Sequence, residues 1–478
     1  MSNKLELINK TAIEVVSLLR NEEISPSDLL LCLQDRIDSI DHQVNALPTL
    51  CFERAFERAK QLEKKPKEER GILAGLPIPI KDLTPVEGIR FTSGSTIFKD
   101  RIASYSDISV QRIESQGGIV YAKSNTPEFG AGGNTFNNVF GNTLNPWDLR
   151  MSTAGSSGGA AAALASGMAW LAHGSDMGGS LRNPASFCGV VGMRPSPGRV
   201  AHGPALFPFN SLGVEGPMAR NVADLALLFD VMTGEDARDP LSFATSDLSF
   251  LEAAKSTQKP AQVAFSADFG FMPVDTEVAE ICRVAVKKIQ EYGIVVEDRY
   301  PKLDNVIETF WTLRSHSFAM SMGPLVKQFK KHFKPELLDN ITAGYNLSVD
   351  EICNAETTRG KIYETMFTFF EDYDLLLVPS TIVSAFPIEQ RFVEKCNDKI
   401  FNTYVDWMGI TFPATLAGCP ALSIPVGFTK EGLPVGLQLI GRQKSEAKLL
   451  SSAQMIENIV GKNNLPIDPR PKGILSLK

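Results

Sequence analysis

The chain has 478 residues, 43% of them hydrophobic and 22% charged, the balance of a soluble globular protein able to bury a large core. Lysine and arginine number 48 against 55 aspartates and glutamates, a net charge of −7 with no block of five or six like charges, which disfavours nucleic-acid binding through a basic face. Seven scattered cysteines without a C-x-x-C pair (Cys32, Cys51, Cys188, Cys282, Cys353, Cys396, Cys419) fit reduced thiols in the cytoplasm rather than a disulfide framework or a structural zinc.

The opening MSNKLELINK puts Lys4, Glu6 and Lys10 where the apolar core of a signal peptide would lie, so it reads as mature protein. Residues 11–65 repeat apolar side chains three or four apart (Ile13, Val16, Leu19, then Leu29, Leu33, Ile37, Ile40), and Ser25-Pro26-Ser27-Asp28 supplies a helix start. GILAGLPIPIKD then reads as a strand and turn entering a core, and Ile119 to Lys123 as a second strand. The Gly/Asn/Pro-rich stretch from Ser124 to Trp147 reads as a long loop, a feature that in compact domains is usually functional. Gly158 to Leu171 predicts an alanine-rich helix, apolar all round and therefore buried. The surrounding charge-free stretch, Met151 to Ser175, is too polar to cross a bilayer, its longest apolar run being Ala160 to Ala165.

Further strands are predicted at Gln262–Phe265, Ile294–Val296, Asp374–Val378 and Ala421–Val426, between helices at Val278–Tyr292 and Ser445–Val460. Strands alternating with helices predict an α/β sheet. The segment from about 300 to 370 is mainly helical and carries Phe310, Trp311, Phe318, Phe329, Phe333, Tyr345 and Phe367, either as plain core or as the wall of an apolar pocket.

Three short pieces carry candidate chemistry: Ile80-Lys81-Asp82, Ala154-Gly155-Ser156-Ser157-Gly158-Gly159, and Gly174-Ser175-Asp176-Met177-Gly178-Gly179-Ser180. Singly, each has a bland reading, as a surface lysine, a helix cap and a turn. Together they mean more, because glycines before a serine let consecutive backbone N–H groups point at one spot, as an oxyanion hole requires. In order and surroundings the pieces resemble the amidase signature family, whose Gly/Ser-rich block looks like Ser156 to Pro184. The resemblance continues in Asn183-Pro184-Ala185, in Lys123 to Asp148 and in Thr411 to Gly441, and is weakest from about 240 to 405.

That resemblance implies a Ser-cisSer-Lys triad with Ser180 as nucleophile, Ser156 as bridging serine and Lys81 as general base. It also implies an oxyanion hole built from the backbone N–H groups of Met177, Gly178, Gly179 and Ser180. Asp176 and Arg182 match family positions and read as a pair organising the loop; Ser157 and Ser175 read as supporting, with Ser157 a helix cap. Lys81 must be neutral to act, which the apolar run Leu76 to Ile80 favours by burial, while strand alternation turns Asp82 to the opposite side. None of the five histidines (His42, His173, His202, His316, His332) lies in a motif with nucleophile and acid partners, and His173 reads as a helix-end residue.

The implied fold is one α/β/α domain over 1–478 around a mixed, twisted sheet. It divides into a helical segment (1–65), a signature core (66–235), a mainly helical substrate-side region (about 240–405) and a C-terminal return to the sheet (406–478). No metal, nucleotide or flavin motif is visible, so no cofactor is expected. The implied activity is hydrolysis of a small aliphatic or aryl amide by a free-standing amidase, with no nucleic-acid or membrane partner and with a homodimer open on base rates alone. The alternative is the glutamine-hydrolysing A subunit of a tRNA-dependent amidotransferase. In such amidotransferases an acidic residue for glutamine recognition stands just ahead of the segment resembling Ile410-Thr411-Phe412-Pro413, a place held here by Met408, with Asp406 two residues off. A non-catalytic scaffold is a third reading, opposed by the presence of all three triad residues.

Overall fold

Two capped helices open the structure, Ala12–Arg20 (α1) and Pro26–Val44 (α2), where Thr11 with Glu14 and Ser25 with Asp28 each close a capping box. This is a computed structural model, and it describes residues 2–245 and 248–471. A two-residue strand, Thr49–Leu50 (β1), and the helix Phe52–Glu63 (α3) follow. The strands predicted next are Pro77–Lys81 (β2) and Ile119–Ser124 (β3), buried at every residue. They form a small separate sheet of order β1-β3-β2, with β2 and β3 parallel and Lys81 opposite Ser124.

The alanine-rich helix is Gly158–Ala165 (α4), buried throughout as expected but ending six residues before Leu171. Gly167 stops it: φ is +75°, and a Cβ there would lie 2.6 Å from Ile8 and 2.9 Å from Pro466. The chain then enters the strand Leu171–Asp176 (β4).

β4 is the edge of an eight-stranded sheet completed by Val191–Arg194 (β5), Val214–Ala219 (β6), Val263–Phe265 (β7), Val296–Asp298 (β8), Leu375–Pro379 (β9), Ala421–Phe428 (β10) and Pro434–Ile440 (β11). The order is β8-β7-β9-β11-β10-β5-β6-β4. β7 runs parallel to both its neighbours and the other pairings are antiparallel, so the sheet is mixed. The range 240–405 thus supplies three sheet strands in addition to its helices. The small sheet lies against this edge, β2 beside β4.

Helices surround the sheet: Arg182–Cys188 (α5), Val222–Met232 (α6), Thr276–Glu291 (α7) and Glu446–Val460, with Val306–Phe329 (α8), Pro335–Tyr345 (α9) and Val349–Asp372 (α10) packed on one another. Two apolar cores result, and the loop between β4 and α5 bridges them, Leu181 belonging to one and Met177 packing against the other. Among the described residues no helix is long and apolar enough to cross a membrane.

Candidate active site

β2 carries Lys81 into the seam between the two sheets, where its side chain is fully buried. Its Nζ lies 2.7 Å from Ser156 Oγ, 2.8 Å from Ser157 Oγ and 3.0 Å from Ser175 Oγ. Ser156 and Ser157 stand at the start of α4, after a cis Gly155–Ser156 peptide, and Ser175 is the penultimate residue of β4. Burial brings the Lys81 amine down to about 7, against the opposing pull of Glu215 and Asp176. Asp82 turns away, as alternation predicts: its carboxylate accepts from Thr92 and lies 3.6 Å from the buried Lys123 Nζ.

Ser157 departs from its expected role. Its hydroxyl makes no cap bond to α4. Instead it faces Lys81 and bonds both backbone groups of Ser175, donating to the carbonyl at 3.2 Å and accepting from the amide at 3.3 Å. The Ser157 amide donates to the Ser180 carbonyl at 3.2 Å, which ties the start of α4 to the expected nucleophile.

Residues 177–181 turn tightly between β4 and α5 around the Asp176 carboxylate. It accepts from Arg182 Nη2 (2.9 Å) and Nε (3.1 Å), from Arg194 Nη1 (3.3 Å), and from the amides of Gly179 (3.0 Å) and Leu181 (3.1 Å). Burial alone would raise this carboxyl, but the two guanidinium groups hold it well below the ordinary carboxylate range. The expected Asp176–Arg182 pair is therefore present, and Arg194 joins it. One expectation is corrected: the Gly179 amide is engaged by Asp176, which leaves the N–H groups of Met177, Gly178 and Ser180 for an oxyanion.

Ser156, Ser175, Met177 and Ser180 share the wall of one cavity of about 280 Å³. Of the seven aromatics between 310 and 367, Phe318 alone lines this cavity; Phe310 stacks on Phe412 at 3.7 Å behind Gly178, and the rest are core or surface. The remaining wall includes Phe129, Phe207, Asn210, Glu215 and Arg314, none singled out from sequence. Arg314 had a signal, a lone cation in the apolar run FWTLRSHSF. Met408 is buried away from this wall, and Asp406 is occupied by the amides of Asn402 and Thr403, at 3.0 Å each.

His173 is corrected too: it is a buried strand residue of β4, 3.2 Å from Ser109 Oγ and 3.3 Å from Glu215. Burial, aided by Lys123 and Lys81, pushes it down to about 3, so it stays neutral and is a poor base. Among the described residues no group of three or more His, Cys, Asp or Glu is placed to hold a metal ion.

Known proteins share this sequence and this fold. The chain is 34% identical over 456 residues to an acylamidase of Rhodococcus erythropolis, covering 94% of this chain and 95% of that protein. It is 36% identical over 482 residues to the A-type polypeptide of the glutamyl-tRNA(Gln) amidotransferase of Moorella thermoacetica, covering 95% and 97%. The crystal structure of a bacterial aryl acylamidase of the amidase signature family superposes with a TM-score of 0.89 at 27% identity, covering 94% and 96%. The Amidase family model matches residues 28–450, nearly the whole chain. With relatives of this similarity aligned along almost their full lengths, the protein belongs to the amidase signature family of amide hydrolases.

Proposed function

We propose that the chain is a free-standing amidase that cleaves an aliphatic or aryl carboxylic acid amide through an acyl-enzyme on Ser180. The observation that carries this reading is the 2.7 Å approach of a buried, easily neutralised Lys81 amine to Ser156 Oγ, in the wall that also presents Ser180. Ser180 Oγ attacks the amide carbon, its proton passes to Ser156 Oγ, and the Ser156 proton passes to Lys81 Nζ. The N–H groups of Met177, Gly178 and Ser180 hold the developing oxyanion. The relay run backwards protonates the leaving nitrogen, the C–N bond breaks, and water then attacks the acyl carbon to release the carboxylate and free Ser180.

Similarity to the acylamidase supports a small amide as substrate, and similarity to the amidotransferase polypeptide keeps glutamine in view. Two observations favour the former: Met408 stands where the amidotransferases carry an acid, and the nearby Asp406 carboxylate is engaged by the 402–403 turn. The test is ammonia or amine release by the purified chain from glutamine, alkanamides, aryl amides and anilides, with Ser180→Ala as control. Cleavage of an aliphatic or aryl amide that is lost in the variant is the expected result. Activity on glutamine alone, or only with added partner proteins, would overturn the free-standing reading.

A further inference from the structure

We propose that Arg314 is an anion subsite of the catalytic cavity and that the substrate is an amide bearing a carboxylate a few bonds from its scissile carbonyl. Resting on the amide-hydrolase reading, the inference narrows the substrate class. Arg314 projects from α8 into the cavity wall and is 5% exposed. Its guanidinium donates from Nε to Asn340 Oδ1 (3.0 Å) and from Nη2 to the Tyr404 hydroxyl (2.9 Å). The third direction, from Nη1, meets only the Met177 sulfur at 3.3 Å, a weak acceptor.

All three partners are neutral, and among the described residues no carboxylate lies within 4.0 Å. The two acids of the same wall are oriented elsewhere, Asp176 toward Arg182 and Arg194, and Glu215 toward His173. A buried charge costs several kcal/mol unless an opposite charge meets it, so this arrangement is completed by an anion. The surrounding side chains hold the fork still: Tyr404 and Asn340 bond each other at 3.1 Å, and Asn340 bonds Ser315 at 2.6 Å. Phe318 supplies a face under the guanidinium at 4.1 Å. A fixed fork with one poorly occupied arm is suited to a carboxylate oxygen. Met177, which occupies that arm, also offers one of the free oxyanion amides, so the anion would sit beside the reacting carbonyl.

Matched substrates test this: succinamate, glutaramate and adipamate against butanamide, pentanamide and hexanamide, and N-acetyl-β-alanine against N-propylacetamide, so that either side of the amide can carry the charge. The expected result is a wild-type preference in kcat/KM for the charged member of one series of roughly tenfold to a hundredfold, the range of a charge-assisted hydrogen bond. The preference resides in KM, disappears in Arg314→Met and persists in part in Arg314→Lys. Wild-type preference for the neutral members overturns the inference while leaving amide hydrolysis intact, and a preference surviving in Arg314→Met overturns the assignment to this residue. Should no amide be turned over, the functional reading fails, and calorimetry still decides the subsite. In that arm Ser180→Ala protein binds glutaramate or N-acetyl-β-alanine more tightly than the neutral partner, and equal affinities overturn it.

Discussion

An amine brought from 10.5 down to about 7 by burial changes protonation within the ordinary assay range, and for Lys81 the direction matters. The working form is neutral, so kcat/KM of the free enzyme rises with pH through about 7 and levels above it, and falls as the amine gains its proton below. A profile flat from acid to alkaline pH across that value would remove Lys81 from the base role. Lys81→Ala is expected to lower turnover by ~10²–10⁴, the usual worth of a positioned general base, with the far-ultraviolet circular dichroism unchanged. Both the burial of Lys81 and the outward turn of Asp82 were legible in the sequence, because an apolar strand of alternating faces dictates them. The role of Ser157 was not, since capping and lysine binding place the same residue at the same helix start; only the position of β4, which brings Ser175 within reach, distinguishes them.

The turn between β4 and α5 is organised around one carboxylate that answers two buried guanidinium groups. Asp176→Asn keeps the shape but leaves Arg182 and Arg194 without their counter-charge, and is expected to cost about 3–5 kcal/mol in urea unfolding. The carboxyl is depressed in the folded state below its ordinary 3.8, so its stabilisation is complete above that value and is lost only as pH falls below it. Gly179 has φ +98°, and a Cβ there would stand 2.7 Å from Asn183 and 2.8 Å from Thr411 Oγ1. Gly179→Ala should therefore displace the neighbouring oxyanion amides, lowering kcat by ~10²–10³ with a smaller change in KM. The strands on either side of this turn were harder to read than the turn itself. LAHGSD in β4 lacks alternation, and VEGPMA in β6 carries an interior proline that argues against a central strand. The structure accommodates Pro217 because β6 pairs with β5 only at Met218 and Ala219, so the ladder on that side has already ended at the proline.

At the scale of the whole molecule, segments from the two ends of the chain converge on α4, the helix whose start presents Ser156 and Ser157. Arg36 of α2 donates to the Ser166 carbonyl at the end of α4 (2.9 Å), to the Ile467 carbonyl (3.1 Å) and to Asp468 (2.7 Å). The Ile467 amide in turn caps the Ala165 carbonyl at 2.9 Å. Carbonyls at a buried helix end need such donors, because water does not reach them. One arginine thus joins three segments far apart along the chain, and none of its contacts involves a catalytic group. Arg36→Ala removes the Asp468 pair, which is exposed and contributes little, and two backbone contacts that are partly buried and contribute more. The expected loss is about 1–3 kcal/mol in urea unfolding, with faster amide exchange in α4 and with kcat at room temperature preserved. An unchanged unfolding midpoint would show that the Ile467 amide alone secures the helix end, whereas a fall in kcat without a fall in stability would mean that α4 transmits small displacements from its last turn to Ser156.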